Sequence, residues 1–229
     1  MGNSSFSSEC LAIARAGACE PKMTARPMTY LITPGDLTPE TFSELRQRLI
    51  DHLRVAISAG ISAIQLRERS LPTKLLVDLA AEVVSMARGS ETKIFINERA
   101  DVAKAAGAAG VHLRSDSMPC AAVRRSFPSL LIGVSTHSLS EIKVVMKSGA
   151  DLAVFGPVFE TPGKGEPVGL AELARVSDAV RPFPVLGLGG VDASNYPGVL
   201  HAGAAGFAAI RLFADATALK RISKELYEH

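Results

Sequence analysis

Eight short apolar runs, each followed by a helical segment, constrain the fold of this chain more than any other feature. The runs are continuously apolar rather than alternating, which is typical of strands buried on both faces of a parallel sheet. They lie at 28–33, 63–67, 93–97, 110–113, 131–135, 152–155, 184–188 and 206–210. The candidate helices lie at 39–59, 73–88, 100–106, 118–127, 139–147, 170–179, 194–202 and 215–227.

Eight such pairs predict an α/β protein, a single (β/α)8 TIM barrel at residues 28–229, with a doubly wound sheet as the alternative. A chain of 229 residues that is 47% hydrophobic can bury a core of that size. Residues 1–27 mix Ser, Gly, Ala and Cys without a clear period. We interpret them as an N-terminal extension outside the core.

Charge and cysteine content limit the kinds of binding partner and the cellular compartment that we expect for this chain. The chain carries 25 basic and 23 acidic residues with no basic run and no Trp, so we expect no nucleic-acid binding. No apolar run is long enough to span a membrane, so we expect no membrane partner. Three cysteines without metal-type pairing, Cys10, Cys19 and Cys120, indicate a reducing cytoplasm, and Cys120 is expected to be inert.

Polar residues follow the apolar runs at the points where the predicted strands end. In a parallel barrel these carboxyl ends converge on one mouth, where such barrels place their sites. Cations, amides and hydroxyls dominate, which indicates an anionic ligand. The residues are Thr33, Gln65, Arg67, Arg69, Asn97, Glu98, His112, Ser115, Asp116, Ser117, Ser135, His137, Thr161, Lys164 and Arg211.

Two glycine-rich stretches are candidates for ligand contact at this mouth. The loop at 156–169 carries Thr161 and Lys164 and is either a functional loop or a solvated surface loop. The stretch LGLGGVD at 186–192 exposes backbone N–H groups at Gly189 and Gly190. With Ile210 and Arg211 of the next run, it occupies the usual phosphate position of a barrel, or it is simply a tight turn.

Six motifs together carry a family resemblance. They are IQLRERS (64–70), FINERADVA (95–103), GVHLRSDSMP (110–119), IGVSTHSLSEI (132–142), GADLAVFGPVFETPGKG (149–165) and LGLGGV (186–191). In order and spacing they resemble the thiamine phosphate synthase and TenI superfamily. The resemblance covers about residue 28 to the C-terminus.

The resemblance implies a barrel that binds thiazole phosphate at the Gly189 and Gly190 loop. Synthases of this kind join the thiazole to hydroxymethylpyrimidine diphosphate with Mg²⁺ and release pyrophosphate. The implied catalytic residues are Arg67, Ser135, His137 and Lys164. The implied substrate-binding residues are Gln65, Arg69, Asn97, Thr161, Gly189, Gly190, Ile210 and Arg211.

The chain departs from the synthase pattern at the implied metal site. Glu98 and Ser117 stand where synthases carry Asp ligands of Mg²⁺, and serine is a poor ligand for this ion. Asp116 either supplies the missing oxygen or faces solvent, so the metal ligands are Glu98 and Asp116 at most. In addition, Gly163 replaces a threonine of the loop, and HLRS at 112–115 replaces the usual HLGQ.

Other motifs resemble the TenI-type thiazole tautomerases, which aromatise carboxythiazole phosphate by moving a proton. They include RERS and THSLSEI, and the resemblance places a functional histidine at His137, a residue type that shuttles protons near neutral pH. Three hypotheses follow: a synthase with an altered metal site, which we favour, a tautomerase that needs no Mg²⁺, and a non-catalytic binding barrel. All three take small-molecule ligands, and a homodimer is a family-level expectation.

Overall fold

The structure is a computed structural model that describes residues 26–227. Its strands in chain order are β1 Met28–Ile32, β2 Ala63–Leu66, β3 Lys93–Asn97, β4 Gly110–Leu113, β5 Leu131–Thr136, β6 Leu152–Phe155, β7 Val185–Gly187 and β8 Gly206–Ala209. The helices within this range are α1 Phe42–Ser58, α2 Thr73–Met86, α3 Ala100–Ala106, α4 Cys120–Ser126, α5 Leu139–Lys147, α6 Gly169–Ala179, α7 Tyr196–His201 and α8 Ala216–Tyr227. The predicted and observed elements agree in number and order over this part of the chain.

The strands form a closed parallel barrel in which each pairs with the next along the chain. The barrel closes between β8 and β1, where Met28 is in register with Gly206. A glycine is required at 206, because a Cβ there would lie 2.0 Å from the carbonyl oxygen of Met28. The (β/α)8 prediction is therefore confirmed, and the doubly wound alternative is wrong.

Helix boundaries differ from the predictions by a few residues at several ends. The predicted start of α1 at residue 39 falls in a turn, and the helix begins at Phe42 because Thr41 and Thr38 satisfy each other's backbone N–H groups by side-chain hydrogen bonds of 2.9 and 3.3 Å. Helix α7 is shorter than predicted. The Asp192 carboxylate accepts hydrogen bonds from the N–H groups of Ser194 and Asn195, which makes a turn of its predicted first residues.

Side chains on the strands divide between two apolar cores. Inward-facing residues such as Tyr30, Phe95 and Leu186 fill the barrel, and the Tyr30 and Phe95 rings meet edge to face at 5.5 Å between centroids. Outward-facing neighbours such as Leu31 and Ile96 pack under the helices in a larger cluster. Alternate residues of every strand thus face the barrel axis, and this parity positions the site.

Several sequence-based expectations fall partly or wholly outside the described residues. Most of the proposed extension, with Cys10 and Cys19, lies in residues 1–25, so its role stays a prediction. Cys120 is buried and free, its thiol donates to the Ser148 carbonyl at 3.5 Å, and burial raises its pKa, as an inert cysteine requires. Within residues 26–227, every helix is too short or too polar to cross a membrane.

Candidate active site

The polar residues of the mouth occupy strand positions whose side chains face the barrel axis. Gln65 lies two residues after the inward-facing Ala63, and Asn97 lies two after Phe95. Since successive side chains of a strand alternate between faces, both amides point into the barrel near its carboxyl end. The sequence therefore places them correctly.

Gln65 and Asn97 form a buried amide pair across adjacent strands. Their side chains belong to residues only 2% and 9% exposed, and Gln65 Nε2 donates to Asn97 Oδ1 at 2.9 Å. Asn97 Nδ2 in turn points at the Glu98 carboxylate, at 3.5 Å. Each amide limits the rotation of the other, so the pair presents a rigid polar floor to a ligand.

A chain of three side chains runs from the barrel interior to the mouth. The Tyr30 hydroxyl lies 3.2 Å from His112 Nδ1, and His112 Nε2 lies 2.9 Å from the Ser135 hydroxyl. Burial lowers the pKa of His112 to about 4, so the imidazole is neutral near pH 7 and one of its nitrogens accepts a hydrogen bond. Ser135 is therefore oriented by a neutral histidine.

Neither Tyr30 nor His112 was assigned a role from the sequence. His112 was recognised only as one of many mouth residues, and Tyr30 only as part of an apolar run. The signal that could have found them is the alternation of side chains along each strand, because Tyr30, His112 and Ser135 all occupy inward-facing positions.

Arg67 is held at the mouth by two hydrogen bonds to the loop after β1. Its backbone N–H donates to the Thr33 hydroxyl at 2.8 Å, and its guanidinium donates to the Pro34 carbonyl at 3.2 Å. Burial lowers its pKa, as do the nearby positive charges of Arg69 and Arg114. An arginine crowded by two others is well placed to bind an anion.

Glu68 supports this arrangement from behind and was missed by the sequence analysis. It is only 2% exposed, accepts the Thr33 hydroxyl at 2.6 Å and accepts the Leu37 N–H at 3.0 Å. These bonds hold the loop between β1 and α1 against β2. Beside it, a cavity of about 260 Å³ opens between α1 and the barrel, bounded at the mouth by Thr33 and Ile210.

The two carboxylates predicted to hold Mg²⁺ both face one arginine. Arg114 lies 2.6 Å from the Asp116 carboxylate and 3.8 Å from that of Glu98. Ser117 directs its hydroxyl to the Arg114 carbonyl at 3.2 Å. Within residues 26–227, no three acidic, His or Cys side chains gather as a metal-binding group. One oxygen of each carboxylate faces the Arg114 guanidinium, and two carboxylates beside a resident cation are a poor ligand set for an octahedral Mg²⁺.

The loop between β6 and α6 is attached to the end of β7. Phe159 donates its N–H to the Gly189 carbonyl at 3.0 Å, and the Thr161 hydroxyl donates to the Phe159 carbonyl at 2.9 Å. Lys164 donates its N–H to the Thr161 carbonyl at 3.1 Å and is exposed. The root of the loop is therefore ordered by backbone bonds, while its tip, with Lys164, projects to solvent.

His137 is oriented by a neighbouring strand end. Its Nδ1 lies 2.6 Å from the Gly156 carbonyl, and its backbone N–H donates to Glu141 at 2.8 Å. Since a carbonyl only accepts, Nδ1 carries a proton. The expected helix-entry contact is therefore present, and no group within residues 26–227 bonds to Nε2.

Gly189 and Gly190 are required by the backbone and by close packing. Their φ angles are 100° and 63°, and a Cβ on Gly190 would lie 2.6 Å from the Glu160 carbonyl oxygen. Ile210 and Arg211 follow β8 directly, half-buried and exposed respectively. The tight-turn interpretation therefore holds for the glycines, and phosphate binding at these four residues stays a prediction.

Comparisons with known proteins identify the family of this chain. The family model described as thiamine monophosphate synthase matches residues 29–213. The thiamine-phosphate synthase of Archaeoglobus fulgidus is 36% identical over 195 residues, which span 84% of this chain and 90% of that protein. The thiamine-phosphate synthase of Roseiflexus castenholzii is 34% identical over 194 residues, which span 83% of this chain and 82% of that protein.

A solved structure extends the similarity to three dimensions. The thiamine phosphate pyrophosphorylase of Pyrococcus furiosus superposes with a TM-score of 0.74 at 30% identity, covering 87% of this chain and 96% of that one. The family match covers most of the barrel, from the second residue of β1 to the segment after β8. From this match and these relatives, the chain belongs to the thiamine monophosphate synthase family.

Proposed function

We propose that this chain is a thiamine-phosphate synthase that condenses hydroxymethylpyrimidine diphosphate with thiazole phosphate and releases pyrophosphate. The observation that carries this proposal is the convergence of a buried amide pair, the half-buried Arg67 and further exposed cations on one barrel mouth in a member of this family. Such a mouth can bind two anionic substrates side by side. The enzyme class is transferase.

In the reaction, the bond between the pyrimidine methylene and the diphosphate oxygen breaks, and the thiazole nitrogen then bonds to the methylene carbon. Negative charge develops on the leaving diphosphate, where Arg67, Arg69 and Lys164 stabilise it. Since the methylene gains positive charge, the step needs orientation more than acid or base chemistry. We assign orientation of the pyrimidine to Gln65 and Asn97.

Ser135 is the residue that we place closest to the reacting carbon. Its hydroxyl bonds to neutral His112, which can accept or donate at Nε2 without carrying charge near pH 7. A hydroxyl held in this way keeps a fixed direction toward the ligand. His112 and Tyr30 act as positioning residues for Ser135.

The remaining residues have binding roles in this proposal. Thr161 and Lys164 cover the diphosphate from the loop between β6 and α6. Gly189, Gly190, Ile210 and Arg211 bind the thiazole phosphate through backbone N–H groups and the Arg211 cation. Because Glu98 and Asp116 face Arg114, no step of the reaction is assigned to Mg²⁺, and the ion stays a prediction from the resemblance.

A second candidate function rests on His137. With Nδ1 held by the Gly156 carbonyl, Nε2 is the ring nitrogen that faces a ligand and can exchange a proton with it, as a thiazole tautomerase needs. Synthase and tautomerase share the thiazole phosphate site, so only turnover separates them. A homodimer and a cytoplasmic location stay predictions as well.

The proposal is tested with purified full-length chain and both synthase substrates, measured with and without Mg²⁺. We expect thiamine phosphate and pyrophosphate in equal amounts. Ser135→Ala should lower kcat about a hundredfold, since it removes a fixed hydrogen-bonding group at the reacting centre. The matched control is Ser148→Ala, at the amino end of the barrel, where the hydroxyl only donates to the Val144 carbonyl.

Other outcomes would overturn the proposal in distinguishable ways. Aromatisation of carboxythiazole phosphate without thiamine phosphate would assign the tautomerase function, and His137→Gln should then abolish the activity. Thiazole phosphate binding by calorimetry with neither reaction would leave a non-catalytic binding barrel.

A further inference from the structure

Arg114 occupies the rim of the mouth between carboxylates from two different loops. One is Glu98, directly after β3, and the other is Asp116, in the loop after β4. The guanidinium lies 2.6 Å from the Asp116 carboxylate and 3.8 Å from that of Glu98, so one cation pairs with both carboxylates. Arg114 thus links two loops that bound the mouth.

Backbone conformation and hydrogen bonds hold both the loop that carries Glu98 and the loop that carries Arg114. Glu98 has φ 59°, the one positive φ among the non-glycine residues that the structure describes, and its N–H donates to the His112 carbonyl at 2.8 Å. A strained conformation of this kind persists only where its surroundings hold it. The Arg114 carbonyl accepts from both the N–H and the hydroxyl of Ser117, at 3.3 and 3.2 Å, which shapes the loop after β4 as a turn.

The Arg114 charge also acts on Arg67, the half-buried cation of the mouth. Burial lowers the pKa of Arg67, the positive charges of Arg69 and Arg114 lower it further, and Glu68 opposes them. Like charges repel one another, and a multiply charged anion relieves that repulsion. A planar guanidinium is suited to it, because it binds two phosphate oxygens at once.

We propose that Arg114 is a resident cation of the diphosphate subsite and supplies there the positive charge that a divalent metal ion would otherwise bring. Glu98 and Asp116 orient its guanidinium toward the diphosphate instead of ligating a metal. The inference rests on the proposed function for the identity of the anion. It predicts that this chain binds inorganic pyrophosphate without any divalent ion.

The test is calorimetric titration of the full-length protein with inorganic pyrophosphate, in EDTA and in Mg²⁺. Wild-type protein should bind in EDTA, with an affinity that Mg²⁺ changes less than about threefold. Arg114→Gln should weaken binding in EDTA by about tenfold or more, the effect of one lost charge-assisted contact. In that variant Mg²⁺ should restore affinity, because Glu98 and Asp116 are then free to ligate it.

Arg175→Gln is the matched control. Arg175 is similarly exposed and also pairs with a carboxylate at 2.6 Å, that of Glu172, on the exposed face of α6. This variant should bind pyrophosphate like the wild type. Binding by wild-type protein only in Mg²⁺, or equal affinities of Arg114→Gln and wild type in EDTA, would overturn the inference.

Failure of the inference and failure of the proposed function give different results. Thiamine phosphate formation together with strictly Mg²⁺-dependent pyrophosphate binding rejects the role of Arg114 and keeps the synthase. Metal-free pyrophosphate binding that requires Arg114, without thiamine phosphate formation, supports the cation site and rejects the synthase.

Discussion

Single residues at the mouth depend on neighbours that are distant in the chain. His112 illustrates this, because its two ring nitrogens contact Tyr30, 82 residues away, and Ser135, 23 residues away. Its environment excludes water and keeps the ring neutral. The residue therefore links the packing of the barrel interior to the position of a hydroxyl at the reacting centre.

A pH dependence of stability follows from this burial. The pKa of His112 is lowered from 6.5 to about 4, so between these values the unfolded chain binds a proton that the folded chain does not. The free energy of unfolding should therefore fall as pH drops from 7 to 4, by roughly 3 kcal/mol from this group. Urea denaturation at several pH values measures the slope.

His112→Asn provides the control, since it keeps a polar group without a titratable ring. His52 is also half-buried with a lowered pKa, and it contributes equally to both proteins. The difference between the two slopes therefore reports His112 alone. Parallel slopes would show that His112 does not titrate differently in the folded and unfolded chains.

At the scale of elements, the turn after β7 and the loop after β6 behave as one unit. Val158 and Phe159 donate their N–H groups to the carbonyls of Leu188 and Gly189, at 2.8 and 3.0 Å. Gly190 packs against Phe159 and Glu160 so closely that no side chain fits between them. Any change at the turn therefore moves the loop that carries Lys164.

We expect Gly190→Ala to weaken thiazole phosphate binding about tenfold or more, because a Cβ 2.6 Å from the Glu160 carbonyl oxygen displaces the turn whose N–H groups we assign to the phosphate. Calorimetry measures the affinity. Gly107→Ala is the control for backbone strain: its φ is 70°, a Cβ there meets nothing within 4 Å, and it lies in the C-cap of α3. Both variants carry about 1 to 2 kcal/mol of left-handed strain.

Only Gly190→Ala should change the affinity if the turn after β7 binds the phosphate. Equal affinities of the two variants would show that the position of this turn does not matter for the ligand.

At the scale of the whole molecule, the two ends of the barrel have separate tasks. The amino end is closed by α8, whose Tyr227 hydroxyl lies 2.7 Å from the Thr29 hydroxyl, 3.1 Å from that of Ser62 and 3.1 Å from the Pro27 carbonyl. These contacts tie the last helix to β1 and to the start of β2. All candidate site residues lie at the opposite, carboxyl end, as in other barrels of this fold.

Tyr227→Phe should therefore lower the free energy of unfolding by about 1 to 3 kcal/mol, because Thr29 and Ser62 lose a partner in a largely buried position. Its kcat/KM should stay at the wild-type value. Tyr196→Phe is the matched control: its hydroxyl donates to Glu225 at 2.6 Å, but that carboxylate is half exposed and can bind water instead.

Tyr196→Phe should lower the free energy of unfolding by less than about 1 kcal/mol. If Tyr227→Phe reduces catalysis without reducing stability, the division between the two ends is wrong.

The sequence by itself determined the fold and which residues lie at the mouth of the barrel. Strand parity and the order of apolar runs depend on local periodicity, which is why Gln65, Asn97 and Ser135 could be assigned to the carboxyl end without coordinates. The inward orientation of Gln65 and Asn97 follows from the same period of two.

Only the tertiary structure decided which of these side chains contact one another. The sequence offers Glu98 as a metal ligand and leaves Asp116 as either a second ligand or a solvent-facing residue, and in space both face Arg114. Tyr30 reads as a core aromatic, yet it supports His112. The physical reason is that a side chain's partner is chosen by packing and charge across strands and loops, and these distances are absent from the order of residues along the chain.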